Sequence, residues 1–256
     1  MNSSIIISDS YFFPWYEWFI FQGSFSGRRY NLYNVFANNA SLYIVSDRKY
    51  IEKRSLNGSQ SSQIHIRKAF YNVLYLFVDN DDKIYLSLTA DDEIICFSQD
   101  STRQTTVAGS GTSGSNDNQL NGPLGVFVNS VGTIYIADSQ NHRIMKWVRG
   151  ATAGIRVAGD GTRGNDLTQL DEPTHVTVDA KEYIYISEAG NHRITRWAPN
   201  STAGVCIAAC TGKTSIHSTH LNQPHFLVFD SNGSLYVSDW GNHRVQKFSI
   251  LPLLGE

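Results

Sequence analysis

Two histidines stand near the start of similar segments, and their side chains could bind a metal ion or accept a proton. His175 follows Pro173 by two residues, and His225 follows Pro224 directly. A catalytic zinc ion generally takes three protein ligands, but the similar segment that begins at Pro123 contains no histidine. No acidic residue is paired with the two histidines as a general base. We therefore predict no bound metal, no cofactor and no catalytic residue, and keep both as candidate binding residues.

Three further histidines belong to the triplet Asn-His-Arg, which follows an acidic residue at spacings of 50 and 51 along the chain. The three sets are Asp138, Asn141, His142 and Arg143; Glu188, Asn191, His192 and Arg193; and Asp239, Asn242, His243 and Arg244. An acid and an imidazole together could bind a metal or transfer a proton. Because the set recurs once in each repeat, however, we expect it to stabilise the structure of the repeat. We predict that the asparagine takes a tight turn, while histidine and arginine hydrogen-bond the acid or a neighbouring strand.

Two glycine-rich segments, 109–114 and 159–164, match the dinucleotide-binding pattern G-x-G-x-x-G. Each follows a predicted strand, but neither opens a helix, so no helix N-terminus is available for a pyrophosphate. We interpret both segments as connectors between repeats.

The elements that carry these residues are short β-runs separated by turn residues. In the unit 120–169, apolar runs at 124–129, 133–138, 143–148 and 155–158 predict a four-stranded antiparallel meander. The pattern recurs in five units, near 31–66, 68–119, 120–169, 170–220 and 221–250. In the second unit Asp91, Asp92 and Glu93 replace the triplet.

Four-stranded units of this length predict an all-β fold, a β-propeller of antiparallel blades. Both faces of a blade are then covered, so Trp147 and Trp197 should be buried between blades. The last unit has no counterpart of 155–158, and because a propeller avoids open edges we expect a strand near 19–23 to close the ring. Residues 1–18 would be an N-terminal extension and 19–256 a single domain.

The pattern Asp-x-x-Asn-His-Arg-(Ile/Val), preceded by (Ile/Leu)-Tyr-(Ile/Val), resembles the NHL repeat. The resemblance is strong over 120–250, fair over 68–119 and faint over 1–66. It implies a β-propeller, usually of six blades, of which five units are visible here. The family includes ubiquitin ligases whose NHL domain binds RNA or protein, and a lyase that cleaves peptidyl-α-hydroxyglycine. That lyase holds a metal in its channel with histidines, and the segment around His225 resembles one of its metal-binding segments.

Composition limits the partners. Charged residues make up 17% of the 256 residues and the net charge is −2, which is not the basic footprint of a nucleic-acid binder. No apolar run approaches the roughly 20 residues of a membrane-spanning helix. Basic residues repeat with the units and are expected to form a solvated rim, the alternative being a ring that binds acidic protein or RNA. These residues are Arg143, Lys146, Arg193, Arg196, Arg244 and Lys247.

Three cysteines do not make a disulfide framework or the two zinc sites of a RING domain. Four steps of an extended strand span about 13 Å, whereas bridged Cα atoms lie within about 7 Å. Cys206 and Cys210 can therefore pair only if the chain turns after Ala208. The first residues show no basic segment typical of a signal peptide, while five Asn-x-Ser/Thr sequons are compatible with secretion. The compartment stays open between extracellular and cytoplasmic.

From the sequence we predict a non-catalytic, monomeric interaction module that binds protein or peptide at the channel mouth and the connector loops, with His175 and His225 as candidate channel residues. The alternatives are a metal-dependent lyase or hydrolase of the NHL-like propeller class and an RNA-binding NHL domain.

Overall fold

A computed structural model describes residues 32–37, 41–46, 50–55, 61–65, 73–98, 103–230 and 232–249. Within these ranges the regular structure consists of nineteen β-strands and two short 3-10 turns. The strands form five antiparallel sheets, and each sheet is a meander of consecutive strands. No helix in the described ranges is long and apolar enough to cross a membrane.

The sheets are numbered as blades 1 to 5 in chain order. Blade 1 contains β1 (Leu32–Ala37), β2 (Ser41–Ser46), β3 (Tyr50–Ser55) and β4 (Ser61–His65). Blade 2 contains β5 (Val73–Val78), β6 (Ile84–Leu88), β7 (Glu93–Phe97) and β8 (Gln104–Ala108). Blade 3 contains β9 (Pro123–Val128), β10 (Ile134–Asp138), β11 (Arg143–Trp147) and β12 (Ile155–Ala158). Blade 4 contains β13 (Pro173–Val178), β14 (Ile184–Glu188), β15 (Arg193–Trp197) and β16 (Gly204–Ala208). Blade 5 contains β17 (Pro224–Phe229), β18 (Ser234–Asp239) and β19 (Arg244–Ser249).

The blades are arranged as a propeller. The first strands β1, β5, β9, β13 and β17 lie beside one another in chain order, so they form the innermost layer. The predicted all-β propeller of antiparallel blades is therefore confirmed. Both the closing strand near 19–23 and the extension 1–18 fall outside the described residues.

The core lies between blades. One apolar cluster joins blades 2 and 3, a second joins blades 3 and 4, and a third joins blades 4 and 5. Trp147 and Trp197 are each only 1% exposed, as the repeat predicted. A Cβ atom on Gly154 would lie 2.4 Å from the Trp147 ring, and one on Gly204 would lie 2.5 Å from the Trp197 ring. Only glycine lets the start of the fourth strand lie flat on these indoles.

Cys206 and Cys210 form a disulfide with their Cα atoms 5.6 Å apart. The strand β16 ends at Ala208, and Ala209 takes a left-handed φ of 54°, so the chain makes the turn that this pairing requires. In blade 3 the corresponding residues are Arg156 and Asp160. The Arg156 guanidinium donates a hydrogen bond to the backbone carbonyl of Asp160. The disulfide thus replaces a hydrogen bond that ties the outer strand to the connector.

Candidate functional site

The meander puts two kinds of loop at each end of the propeller. The triplet turns, which join the second and third strands, lie at the same end as the connectors between blades. We call this end the triplet end. The turns between first and second strands, such as 129–133 and 179–183, lie at the opposite end. The Asn141 side chain donates to the carbonyl of Gly114 at 2.8 Å, which shows that triplet and connector meet.

Each triplet arginine holds the connector that precedes its own blade. Arg143 donates through Nε to Asp138 Oδ2 at 2.7 Å. Its other nitrogens reach three connector carbonyls, those of Ser115 at 2.7 Å, Asn116 at 3.2 Å and Gln119 at 3.0 Å. The guanidinium fork suits this use because its five donors point in fixed directions. We call this arrangement the latch.

The latch is repeated in the next two blades. Arg193 donates to Glu188 at 3.0 Å, and Arg244 donates to Asp239 at 2.7 Å. The acid also accepts from the triplet asparagine in every copy, at 2.7–2.9 Å. All three acids are fully buried. The sequence motif therefore joins a buried carboxylate to a loop, and we propose that its role is structural.

The triplet histidine, and not the asparagine, takes the left-handed turn conformation. The φ angles are 50° at His142, 55° at His192 and 54° at His243. Asn141 and Asn242 lie in the tight turn as predicted, and the left-handed residue is the histidine that follows. His142 Nδ1 accepts from the amide of Glu172 at 3.3 Å, and His192 Nδ1 accepts from that of Gln223 at 3.1 Å. The histidine thus links blade 3 to blade 4 and blade 4 to blade 5.

The degenerate second unit keeps this link with another residue. Asp92 occupies the histidine position with a φ of 54°. Its carboxylate accepts from the amide of Gly122 at 2.8 Å. The position therefore requires a residue with a positive φ whose side chain accepts a hydrogen bond close to the backbone. Both the carboxylate of aspartate and the imidazole of histidine can do this.

Three of the six repeated basic residues do not belong to the predicted solvated rim. Arg143 is 6% exposed, Arg193 is 7% exposed and Arg196 is 9% exposed. The prediction is wrong for these three because the first two are committed to latches and the third covers a tyrosine ring. Lys146 is half-buried, and Lys247 is exposed. The three buried arginines are thereby withdrawn from the alternative ring for acidic protein or RNA, whereas Arg244 is half-buried.

The inner strands bring His175 into the centre of the propeller. It occupies the third position of its strand, as Tyr75, Gly125 and Phe226 do in theirs. Its ring centroid lies 4.1 Å from that of Phe226 and 5.8 Å from that of Tyr75. A Cβ atom on Gly125 would lie 2.6 Å from the His175 Cα, so glycine makes room for this packing.

Burial decides the charge of His175. The side chain is 6% exposed, and desolvation lowers its pKa from 6.5 to about 3. Its Nδ1 has no hydrogen-bond partner among the described residues. The ring is therefore neutral at pH 7 and is held by aromatic packing.

His225 lies one register position earlier, nearer the channel mouth at the triplet end. The Tyr75 hydroxyl approaches its Nδ1 at 3.5 Å from across the channel, and the Trp240 ring lies 5.3 Å away. Burial lowers the pKa of His225 to about 4. No group of three or more potential metal ligands occurs in the part of the chain that the structure describes. The expected absence of metal stays a prediction.

Tyr75 and Trp240 are channel residues that the sequence reasoning missed. Trp240 follows the acid of the third triplet, at a position that holds Ser139 and Ala189 in the other copies. A large aromatic residue in place of two small ones was the available signal. Tyr75 could have been found by aligning the inner strands on His175.

The two channel histidines predict an acid-sensitive fold. Their pKa values are about 3 and about 4 in the folded protein, against an ordinary value of 6.5. The unfolded chain therefore binds more protons below pH 6.5, so this stabilisation is complete above pH 6.5 and is lost as pH falls toward 4. Each histidine contributes a slope of up to about 1.4 kcal/mol per pH unit.

Urea unfolding of the wild type and of His175→Phe at pH 7.5, 6 and 5 measures this effect. Phenylalanine is the control residue because Phe226 fills the same position in blade 5. We expect the variant to lose less stability than the wild type over this range. Equal losses would contradict the assignment of His175 as a buried neutral imidazole.

The sequence profile of the NHL repeat matches residues 221–248, which form most of blade 5. No curated protein sequence matches the chain. Among solved structures, a nidogen–laminin complex matches with a TM-score of 0.63 and 18% identity, over 83% of this chain and 72% of that chain. A catalytically inactive histidine-to-alanine variant of virginiamycin B lyase from Staphylococcus aureus, with quinupristin, matches with a TM-score of 0.60 and 12% identity, over 88% and 86%.

A protein of unknown function from Bacteroides thetaiotaomicron has a TM-score of 0.65 and 14% identity, over 81% of this chain and 56% of that one. At these identities the likeness concerns the fold. The repeat profile, the five blades and the propeller neighbours agree with the triplet pattern. The chain is a β-propeller that carries an NHL repeat at residues 221–248.

Proposed function

We propose that the chain is a non-catalytic interaction module that binds a protein or peptide at its triplet end. The observation that carries this proposal is Trp240, which is half-buried at the channel mouth and packs on His225. An indole with one face packed and the rest accessible is a common anchor for a partner side chain.

The latches support the proposal because they hold the connectors in place before a partner arrives. Arg244 fixes the connector of blade 5 through the carbonyls of Ile216, His217 and His220. A loop that is already ordered loses little conformational entropy on binding.

An exposed aliphatic residue lies on the same connector. Ile216 is 77% exposed, while its own carbonyl is held by the latch. A fixed backbone that presents an apolar side chain to solvent favours contact with another protein. Blade 5 therefore supplies both an aromatic and an aliphatic contact at the triplet end.

The charges of the channel favour a peptide over a nucleic acid. Both channel imidazoles are neutral at pH 7, and the Arg143 and Arg193 guanidinium groups are buried in latches. Phosphate recognition relies on accessible Lys and Arg side chains. Uncharged aromatic walls instead suit apolar peptide side chains.

Lyase activity is the second candidate, because solved propellers of similar fold include virginiamycin B lyase. A base with a pKa of about 4, such as His225, is weak at neutral pH. Incubation of the protein with quinupristin and a divalent cation, followed by mass spectrometry, is the direct assay. If the chain is a binding module, quinupristin should remain unchanged. Turnover of quinupristin that is abolished in His225→Ala would instead show that the chain is a lyase.

A displayed peptide library selected on the purified protein tests the proposal. We expect Trp240→Ala to weaken binding of the selected peptides by about tenfold or more, since a buried aromatic anchor contributes on this scale. Val131→Ala is the matched control, because Val131 is 74% exposed at the opposite end. Selected peptides that bind Trp240→Ala as tightly as the wild type would refute the proposed site.

A further inference from the structure

Four blades pair a tyrosine of the second strand with a basic residue of the third. The cross-strand pairs are Tyr43 with Lys53, Tyr135 with Lys146, Tyr185 with Arg196 and Tyr236 with Lys247. In the three lysine pairs the ammonium nitrogen lies 5.1–5.6 Å from the ring centroid. The long stem therefore fills the space over the ring at the blade surface.

Blade 2 breaks this rule. Its tyrosine, Tyr85, faces Cys96, which is far shorter than lysine or arginine. A cleft of about 600 Å³ lies at this place between blades 2 and 3, with Tyr85, Cys96, Phe77 and Val128 among its lining residues. We infer that the missing stem helps to open the cleft. Its volume is in the range of sites for small ligands.

The acidic residues of the cleft are already engaged. Asp79 accepts from the Tyr85 hydroxyl at 3.1 Å and from the amides of Asp81 and Lys83 at 2.9 Å each. Asp81 pairs with the Lys83 ammonium at 3.1 Å. The donors to Asp79 are all neutral, so its carboxylate keeps its negative charge, whereas the charge of Asp81 is paired with Lys83.

Two arginines also line the cleft, so its cationic side chains outnumber its carboxylates by three to two. Arg103 comes from the segment before β8, and Arg149 comes from the loop after β11. Both are exposed, and neither guanidinium forms an ion pair within the described ranges. The cleft thus combines apolar lining residues with two exposed guanidinium groups and a small excess of positive charge.

We propose that this cleft binds a small organic acid, with its apolar body against Tyr85 and Cys96 and its acidic group between Arg103 and Arg149. Guanidinium groups bind carboxylates and related anions through paired, charge-assisted hydrogen bonds. The loops that border the cleft, 79–83 and 129–132, belong to the opposite end of the propeller. The site is therefore separate from the proposed peptide site and stands without it.

Two fluorescent probes of similar shape test the site. 8-Anilinonaphthalene-1-sulfonate carries an anionic group on aromatic rings, whereas N-phenyl-1-naphthylamine has the rings without the charge. We expect saturable binding of one sulfonate probe per chain. Arg103→Gln and Arg149→Gln should each weaken it about tenfold, since a hydrogen bond to a charged group contributes on this scale, and should leave the uncharged probe unchanged. Lys181→Gln removes an exposed cation from the same end of blade 4, outside the cleft, and should have no effect.

A second experiment fills the cleft with a longer side chain. Cys96→Met extends an uncharged side chain over Tyr85 and should weaken both probes, whereas Cys96→Ser keeps the volume and should bind like the wild type. Circular dichroism checks that each variant folds. If Cys96→Met does not fold, the arginine variants decide the outcome. The proposal is overturned if the sulfonate probe does not saturate, or if its affinity is unchanged in both arginine variants.

Discussion

Replacing Arg193 with alanine is expected to lower the free energy of unfolding by about 3–5 kcal/mol, the usual effect of removing one partner of a buried ion pair. Glu188 is fully buried and would lose the guanidinium that lies 3.0 Å away. The carbonyls of Asn165 and Asp166 would lose their donors as well. Urea unfolding at pH 7 measures the loss.

The pH dependence of this variant identifies the cause. Burial raises the pKa of Glu188, and the Arg193 guanidinium opposes that rise. Without the arginine, the pKa of Glu188 in the folded protein rises further above its pKa in the unfolded chain. The variant therefore loses stability as the pH rises from the unfolded to the folded pKa, and regains it as the pH falls. The deficit of Arg193→Ala should therefore shrink at acidic pH. Arg149→Ala is the control: Arg149 is exposed and forms no ion pair within the described ranges, so no measurable loss is expected.

An equally large loss, about 3–5 kcal/mol, is expected for Trp147→Ala, because the deletion leaves a cavity between blades 2 and 3. Gly154 lies directly on the indole and cannot fill the space. Trp240→Ala is the matched control, since Trp240 is half-buried and its loss should change stability little. Thermal unfolding compares the two, and similar melting temperatures would show that Trp147 does not sit in a packed interface.

The blades could be predicted because their causes are local and repeated. Turn residues bound each short strand, and a period of 50 residues places Trp147 and Trp197 in equivalent interfaces. The latch was predicted only in part. Its arginine and acid are apparent in the sequence, but the connector carbonyls they hold are not, because a carbonyl has no sequence signature.

The channel and the cleft depend on contacts between distant blades. Tyr75 and His225 are 150 residues apart, and nothing local indicates that they meet across the channel. The conformation of His142 could not be predicted because asparagine and histidine both tolerate a positive φ. Cys96 becomes informative only when strand register shows which residue it replaces.

Amide hydrogen exchange of the full chain, with and without a selected peptide, tests the binding proposal most directly. If the triplet end is the binding surface, protection will rise in the connector 209–223 and in the turn 239–243 of blade 5. The protection of the turns 79–83 and 129–133 at the opposite end will not change. Protection confined to those opposite turns, with the blade 5 connector unaffected, would contradict the account.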